Sequence, residues 1–338
     1  TATLSTNPGS ATLTGTTATA SAGVVRFTSL VTSGAPETYG ITFGGVSSGV
    51  TLNAPTEKTF SLLAGAPNRL AVQVTGTGAR AKIAIATAPV IRVLDSAGNL
   101  VSANPEVTVS LLDENGNVPT DATISGDLTR ITTNGVANFG IADANATLDP
   151  LVIRGPVGNY KLHFAIAAGA NNSYPSAYVD QNITLTAGVA SAMAIATQPA
   201  GGKTGDVLST QPAVKLIDAD GNLVLADSST VISAVVVGVR TTVTGAPAPT
   251  DGVFLDSSYA TVSSAPTQTA ANGVARFSGL RVKGEPGNTY AIQFTSGSMA
   301  ITTGDLIFTA NDAAAISIET QPVGGINGEL LPTAPVVK

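Results

Sequence analysis

The stretch Tyr160-Lys-Leu-His-Phe164 decides the fold class, because bulky apolar and polar side chains alternate along it with a period of two. That period places both aromatic residues and Leu162 on one face of an extended strand and His163 on the other face. We assign the apolar face to the core of a sheet protein. The pattern recurs in Tyr39-Gly-Ile-Thr-Phe43 and Tyr290-Ala-Ile-Gln-Phe294.

A second signature precedes each of these strands. It consists of a glycine, a valine and, four residues after the glycine, a phenylalanine. Its three copies are Gly23-Val-Val-Arg-Phe27, Gly135-Val-Ala-Asn-Phe139 and Gly273-Val-Ala-Arg-Phe277. Self-similarity of this kind indicates tandem repeats of one structural unit.

The opening strands repeat at a constant distance. Asp95-Ser-Ala-Gly-Asn99 returns as Asp218-Ala-Asp-Gly-Asn222, 123 residues later, and Pro89, Pro212 and Pro335 keep the same offset. The intervals between the later signatures vary, although the signatures themselves persist. This behaviour is typical of a sandwich scaffold whose surface loops diverge.

The repeats divide the chain into four segments. We predict complete domains at 66–188 and 189–311, joined by connections as short as Ala187-Gly-Val-Ala190. Residues 1–65 hold only the later strands of a domain, and residues 312–338 hold only the opening strands. Links this short favour a linear, semi-rigid array.

Half a sandwich cannot bury its core face, so neither terminal segment is expected to be stable alone. Two explanations stay open. The chain continues at both ends, or the strands at 312–338 complete the half domain at 1–65 of a neighbouring copy by main-chain pairing.

Composition supports an all-β fold and excludes several classes of function. Among the 338 residues are 36 glycines and 19 prolines, and only 4% are aromatic. The net charge of −6, without a basic cluster, argues against nucleic-acid binding. Without cysteine, the chain can form neither disulfides nor thiolate metal sites. No apolar run reaches the roughly 20 residues that span a bilayer, so no membrane insertion is expected in this segment.

The combined order of these motifs resembles that of the bacterial immunoglobulin-like domains in invasin- and intimin-type adhesins. The order is Pro-Val, Asp-x-x-Gly-Asn, Asn-Gly-Val-Ala-x-Phe and Gly-x-Tyr-x-Leu-x-Phe. Related repeats occur in surface-layer proteins. The resemblance implies tandem immunoglobulin-like Greek-key β-sandwiches, an extracellular cell-surface location, and a stalk or lattice role. The stretched loop between Val239 and Gly273 and the low charge depart from the pattern.

The acidic turn invites a comparison with calcium loops. Asp218, Asp220 and Asn222 offer alternate oxygen ligands around a glycine bend, but the distal bidentate glutamate of such loops is missing. A hairpin turn explains the same residues. We favour the turn over a metal site, for these residues and for the third acidic turn at Asp113-Glu-Asn-Gly-Asn117.

No catalytic residue and no cofactor are predicted. His163 is the single histidine, so a Ser-His-Asp triad or a histidine zinc site cannot be assembled. A paired-carboxylate glycosidase is formally open, but most acidic residues fall in turns. We therefore expect a protein that is not an enzyme.

One modification and one structural motif complete the prediction. Asn145 and Asn171, in loops, are the preferred candidates for glycosylation over Asn182, which falls in a predicted strand. The repeated tyrosines resemble the tyrosine corner of sandwich domains, in which the phenol hydrogen-bonds to the backbone. Tyr39, Tyr160 and Tyr290 are the three copies.

Two functions fit this reading. The first is an assembly protein that forms a surface layer, sheath or filament through lateral or end-to-end contacts with copies of itself. The second is the rigid stalk of an adhesin whose binding tip lies outside this segment. Low charge reduces repulsion between packed copies, which favours assembly.

Overall fold

The chain folds entirely as β-strands and connecting turns in a computed structural model that describes residues 1–52, 56–141, 147–166, 177–241, 245–312 and 315–338. No helix occurs within these ranges, and therefore none there could cross a membrane. The predicted all-β class is confirmed.

Two compact units make up the described chain. The first comprises residues 1–188 and 219–222, and the second comprises residues 189–218 and 223–338. The strands of the first unit are β1 (Ala2–Thr6), β2 (Thr12–Thr14), β3 (Val31–Ser33), β4 (Thr38–Phe43), β5 (Gly45–Ser47), β6 (Val50–Leu52), β7 (Lys58–Ser61), β8 (Arg69–Val74), β9 (Val90–Leu94), β10 (Glu106–Asp113), β11 (Thr123–Ser125), β12 (Thr129–Ile131), β13 (Val136–Asn138), β14 (Val152–Arg154), β15 (Gly158–Ile166) and β16 (Tyr178–Leu185). The four-segment division predicted from the repeats stays a prediction.

Strands β8 to β16 form an immunoglobulin-like sandwich. One sheet has the order β12-β10-β15-β16 and the other β13-β9-β8, with β11 and β14 paired separately. All neighbours are antiparallel. The chain changes sheet from β9 to β10 and again from β12 to β13, so both sheets contribute one face to a shared core.

The alternation in β15 sets that core. Leu162 and Phe164 are fully buried, whereas His163 lies on the outer face. Phe139, from the opposite sheet, packs against Phe164 with ring centroids 5.4 Å apart. Burying one such side chain contributes about 1.5–3 kcal/mol. Equivalent ring pairs occur at Phe27–Phe43 and Phe277–Phe294.

The second unit repeats the arrangement with its own core, which runs from Met193 to Phe308. Its strands are β17 (Ala192–Thr197), β18 (Ala213–Ile217), β19 (Val231–Arg240), β20 (Val253–Leu255), β21 (Thr267–Thr269), β22 (Val274–Arg276), β23 (Arg281–Lys283), β24 (Thr289–Ser296), β25 (Met299–Thr302), β26 (Leu306–Ile307), β27 (Ile318–Thr320) and β28 (Val336–Val337). The sheets have the orders β21-β19-β24-β25 and β17-β18-β22; β26 also pairs with β24, and β20 pairs with β23. The stretched loop of the sequence prediction thus contains β20 and β21.

The terminal segments leave apolar side chains open to solvent. Near the N-terminus, β1, β4 and β7 form a three-stranded sheet in which Phe43 is 38% exposed, although Phe164 and Phe294 at the same repeat position are fully buried. Near the C-terminus, β27 and β28 pair as an isolated hairpin in which Ile318 is 55% and Val337 59% exposed. Phe43 and the side chains of the hairpin are therefore less covered than their counterparts in the complete sandwiches, although Tyr39 and Ile41 in β4 are buried.

Candidate functional site

The Asp95–Asn99 turn, directly after β9, is closed by hydrogen bonds between its own residues. The backbone amide of Asn99 donates to Asp95 Oδ1 at 2.8 Å, and its side-chain Nδ2 donates to Asp95 Oδ2 at 3.0 Å. Gly98 adopts a φ of 91°, a left-handed conformation that glycine takes without steric cost. The turn that the sequence predicted is present at this position.

Hydrogen bonding keeps the buried Asp95 side chain ionised. Burial alone would raise its pKa, but bonds from Gly65, Asn99 and Ala97 lower the pKa by more, so the net pKa lies below the ordinary value. The carboxylate is only 4% exposed. It therefore acts as a fixed acceptor rather than as a proton donor.

Two contacts carry this turn beyond its own residues. The backbone amide of Gly65, in the connection before β8, donates to Asp95 Oδ2 at 2.9 Å. Asn99 Nδ2 also donates to the carbonyl oxygen of Gly34 at 2.9 Å, 65 positions away in the chain. The turn thus contacts the preceding repeat at two points.

The second copy of the turn makes a matching contact within the first unit, to which residues 219–222 belong. Asn222 Nδ2 donates to the carbonyl oxygen of Gly155 at 3.0 Å, and Asn222 Oδ1 accepts from the amide of Val157 at 3.0 Å. Both turns are recognisable from the sequence, but their partners are not.

Asp220, one of the calcium candidates, faces cations. Its Oδ1 lies 3.2 Å from Lys82 Nζ and 3.7 Å from an Arg154 guanidinium nitrogen, and its Oδ2 accepts from the Gly155 amide at 3.2 Å. No group of three His, Asp or Glu side chains that could hold a metal occurs in the described part of the chain. The preference for a turn over a calcium site at Asp218, Asp220 and Asn222 stays a prediction.

The third acidic turn has the same internal chemistry in an exposed setting. Asp113 Oδ1 accepts from the amides of Asn115 at 2.9 Å and Asn117 at 2.8 Å. The pKa of Asp113 lies below its ordinary value, chiefly because the backbone amide of Asn117 donates to the carboxylate. Hydrogen bonds from other groups of the turn also lower the pKa. Here the bonded carboxylate and its partners belong to one turn.

The repeated tyrosines form corners of two kinds. Tyr39 Oη donates to the carbonyl of Ala35 at 2.8 Å, and Tyr160 Oη donates to that of Pro156 at 2.9 Å. This geometry matches the predicted tyrosine corner. Tyr290 Oη instead contacts the carboxylate of Asp251 at 2.9 Å.

His163 has a partner that the sequence did not reveal. Its Nδ1 lies 2.6 Å from Asp180 Oδ1 on the neighbouring strand, and its ring packs 5.1 Å from that of Tyr178. Asp180 stands directly opposite His163 in the β15–β16 register. The predicted outward orientation is present, but the side chain is paired.

A shallow polar groove of about 380 Å³ is lined by other residues of the same two strands, β15 and β16, and by Glu114. Asn159 Nδ2 donates to Glu114 at 2.8 Å, and Thr184 Oγ1 donates to Asn159 Oδ1 at 2.8 Å. Lys161 and Asn182 complete the polar lining. Asn159 thus links Glu114 and Thr184 through one hydrogen bond to each.

The glycosylation candidates have different positions. Asn145 and Asn171 lie outside the described residues. Asn182 is exposed on β16, the strand in which the sequence placed it.

Comparison with known proteins gives only distant likenesses. No protein-family model matches the chain, and no curated protein matches. The FdeC adhesin of Escherichia coli is 15% identical, with 92% of this chain and 85% of that chain covered and a TM-score of 0.34.

This chain covers smaller parts of two further solved structures. Domains 4–9 of the surface-layer protein SbsC are 15% identical, with coverages of 84% and 37% and a TM-score of 0.24. A β-glucuronidase of Parabacteroides merdae is 13% identical; the chain spans about a quarter of its length (coverages 70% and 24%), with a TM-score of 0.22. At these TM-scores the likenesses decide neither fold nor function.

Proposed function

We propose that this chain is the repeat segment of an extracellular surface protein whose immunoglobulin-like sandwiches build a surface layer, sheath or filament. The observation that carries the proposal is the use of the repeated polar residues. The Asn99 amide closes a turn by donating to Asp95, and the Asn99 side chain links that turn to the preceding repeat. The phenol of Tyr160 closes a corner by donating to a backbone carbonyl. In this proposal the segment is a scaffold and not an enzyme.

The low charge supports close packing of copies. Only 11% of residues are charged, and the net charge is −6 over 338 residues. A weakly charged surface has little long-range repulsion to overcome when identical molecules associate.

The partner we propose is a second copy of the chain. The complete sandwiches cover the phenylalanine of β15 or β24 with a sheet whose first two strands are β8-β9 or β17-β18. Strands β27 and β28 hold the sequence equivalents of those opening strands, and their apolar side chains are exposed. Packing this hairpin against the sheet that carries Phe43 in another copy would bury Phe43 and the exposed side chains of the hairpin. Strand β28, the equivalent of β9, would offer backbone hydrogen bonds to residues 24–26, the equivalent of β13.

Light scattering and electron microscopy of the 338-residue chain test the assembly. We expect ordered polymers or sheets that grow with concentration. Strictly monomeric particles at every concentration would contradict assembly.

A rigid adhesin stalk is the second candidate, and the bonded contacts of Asp95 and Asn99 with the preceding repeat favour it. Imaging of native cells separates the two. A periodic coat supports assembly, and isolated projections that end in a distinct tip support the stalk.

A further inference from the structure

We infer that the Asp-x-x-Gly-Asn turn and the loop before the corner tyrosine are the two halves of a joint between successive repeats. The asparagine of the later repeat is the donor, and a glycine carbonyl of the earlier repeat is the acceptor.

The acceptor occupies the same place in both copies. Gly34 lies five residues before Tyr39, and Gly155 lies five residues before Tyr160. Asn99 and Asn222, themselves 123 residues apart, reach these two carbonyls at 2.9 and 3.0 Å. Two sites with different flanking residues thus make the same bond.

Each corner tyrosine fixes its acceptor loop. The phenol of Tyr39 holds the carbonyl of Ala35, the residue directly after Gly34, and the phenol of Tyr160 holds that of Pro156, directly after Gly155. The neighbouring glycine carbonyl is therefore held in place as well. The tyrosine corner gains a second role, which is to position the acceptor of the joint.

Close packing explains why glycine stands at the acceptor position. A Cβ atom on Gly34 would lie 2.5 Å from the Cβ of Ala11, and one on Gly155 would lie 2.7 Å from that of Ala122. Both distances are shorter than any ordinary contact. A small residue and a glycine thus meet beneath the loop in both copies.

The donor side is also fixed before it meets its partner. Asp95 accepts from both the backbone and the side-chain nitrogen of Asn99, which restricts the rotamers of the asparagine. The same carboxylate accepts from Gly65 in the connection. A donor whose side chain is already held in place loses less conformational entropy when it binds its acceptor. The same turn thus fixes both the connection at Gly65 and the side chain of Asn99 that contacts Gly34.

The chain offers a matched control in the Asp113–Asn117 turn. It has the same aspartate-to-asparagine spacing and the same bond from the asparagine amide, at 2.8 Å. Asn117 Nδ2 approaches its own aspartate at 3.5 Å. Asn99→Ala removes the side-chain bond to Asp95 and the bond to the Gly34 carbonyl across the joint. Asn117→Ala removes only the side-chain contact with Asp113.

Distances between spin labels test the joint. Because the chain has no cysteine, Thr3→Cys in β1 and Ser110→Cys in β10 give one labelled pair across the first joint. We expect a single narrow distance distribution in the parent, a broad one with Asn99→Ala, and a narrow one with Asn117→Ala. Unchanged width in the Asn99→Ala protein would overturn the inference.

A second variant guards against unfolding. Gly34→Ala alters the acceptor side and leaves the Asp95–Asn99 turn intact, so it should broaden the same distribution. Circular dichroism of every variant monitors the fold. If both joint variants broaden the distribution while the β-sheet signal is kept, the joint is supported; equal broadening by Asn117→Ala would refute it.

Discussion

The phenol of Tyr290 lies 2.9 Å from the carboxylate of Asp251, whereas the equivalent Tyr160 donates to a backbone carbonyl. Asp251 belongs to the stretch between β19 and β20, which is longer than its counterpart in the first sandwich. Burial first, and then the Asp251 contact, raise the pKa of Tyr290. The corner of the second unit therefore uses a carboxylate acceptor in place of a backbone carbonyl, and the longer stretch supplies that acceptor.

Removing the phenol should therefore cost more in the second unit than in the first. A hydrogen bond to a charged group contributes about 1.5–3 kcal/mol, and a neutral one about 0.5–1.5 kcal/mol. We expect Tyr290→Phe to lower the free energy of unfolding of its sandwich by more than Tyr160→Phe lowers that of the other. Urea denaturation of both variants measures this, and equal losses would contradict it.

Acid should weaken the joint through Asp95. Since its pKa is lower in the folded protein than in the unfolded chain, its ionised form stabilises the fold above the unfolded value of about 3.9. That stability is lost as the pH falls through the lower folded pKa. The guanidinium of Arg69 lies beside Gly98 in the same turn.

Comparison with Asp95→Asn isolates this effect from the exposed acids. Between pH 7 and pH 2 the parent should lose more stability than Asp95→Asn, which carries no titrating group at that position. Thermal unfolding at a series of pH values gives both slopes. Parallel slopes would show that Asp95 contributes no pH dependence.

Core substitutions should show how far each phenylalanine is covered. Phe164→Ala, at a fully buried position, is expected to cost about 3–5 kcal/mol. Phe43→Ala should cost clearly less in dilute solution, because Phe43 is 38% exposed. Guanidinium denaturation of the two variants provides the test, and equal losses would mean that Phe43 is covered in solution.

Self-association should depend on the terminal hairpin. Ile318→Lys places a charge on the 55% exposed face of β27 and should abolish polymer growth. Val118→Lys, at a 76% exposed position in the loop after the Asp113–Asn117 turn, serves as the control and should leave growth intact. Static light scattering against concentration measures both, and unimpaired growth of the Ile318→Lys protein would exclude this contact.

Calcium should have little effect on stability. The Asp220 carboxylate already contacts Lys82 and Arg154, which offset its charge. We expect no shift in the unfolding midpoint between calcium and chelator. A calcium-dependent rise that disappears in Asp220→Asn would establish the metal site instead.

Local sequence determined which residues form strands and which face enters the core. The period-two alternation of Tyr160, Leu162 and Phe164 requires only neighbouring residues, and all three are buried as predicted. Turn chemistry is similarly local, since Asp95 and Asn99 are four positions apart. The 123-residue repeat located equivalent strands in the same way.

Only the tertiary structure decided which distant groups meet. Asp180 faces His163 because of the β15–β16 register, and Asn99 reaches Gly34 because two repeats pack together. Neither contact follows from spacing along the chain. Side-chain periodicity is a property of one strand, whereas register and packing depend on the combined burial of many strands, and so the partners of these polar groups emerge only in the folded protein.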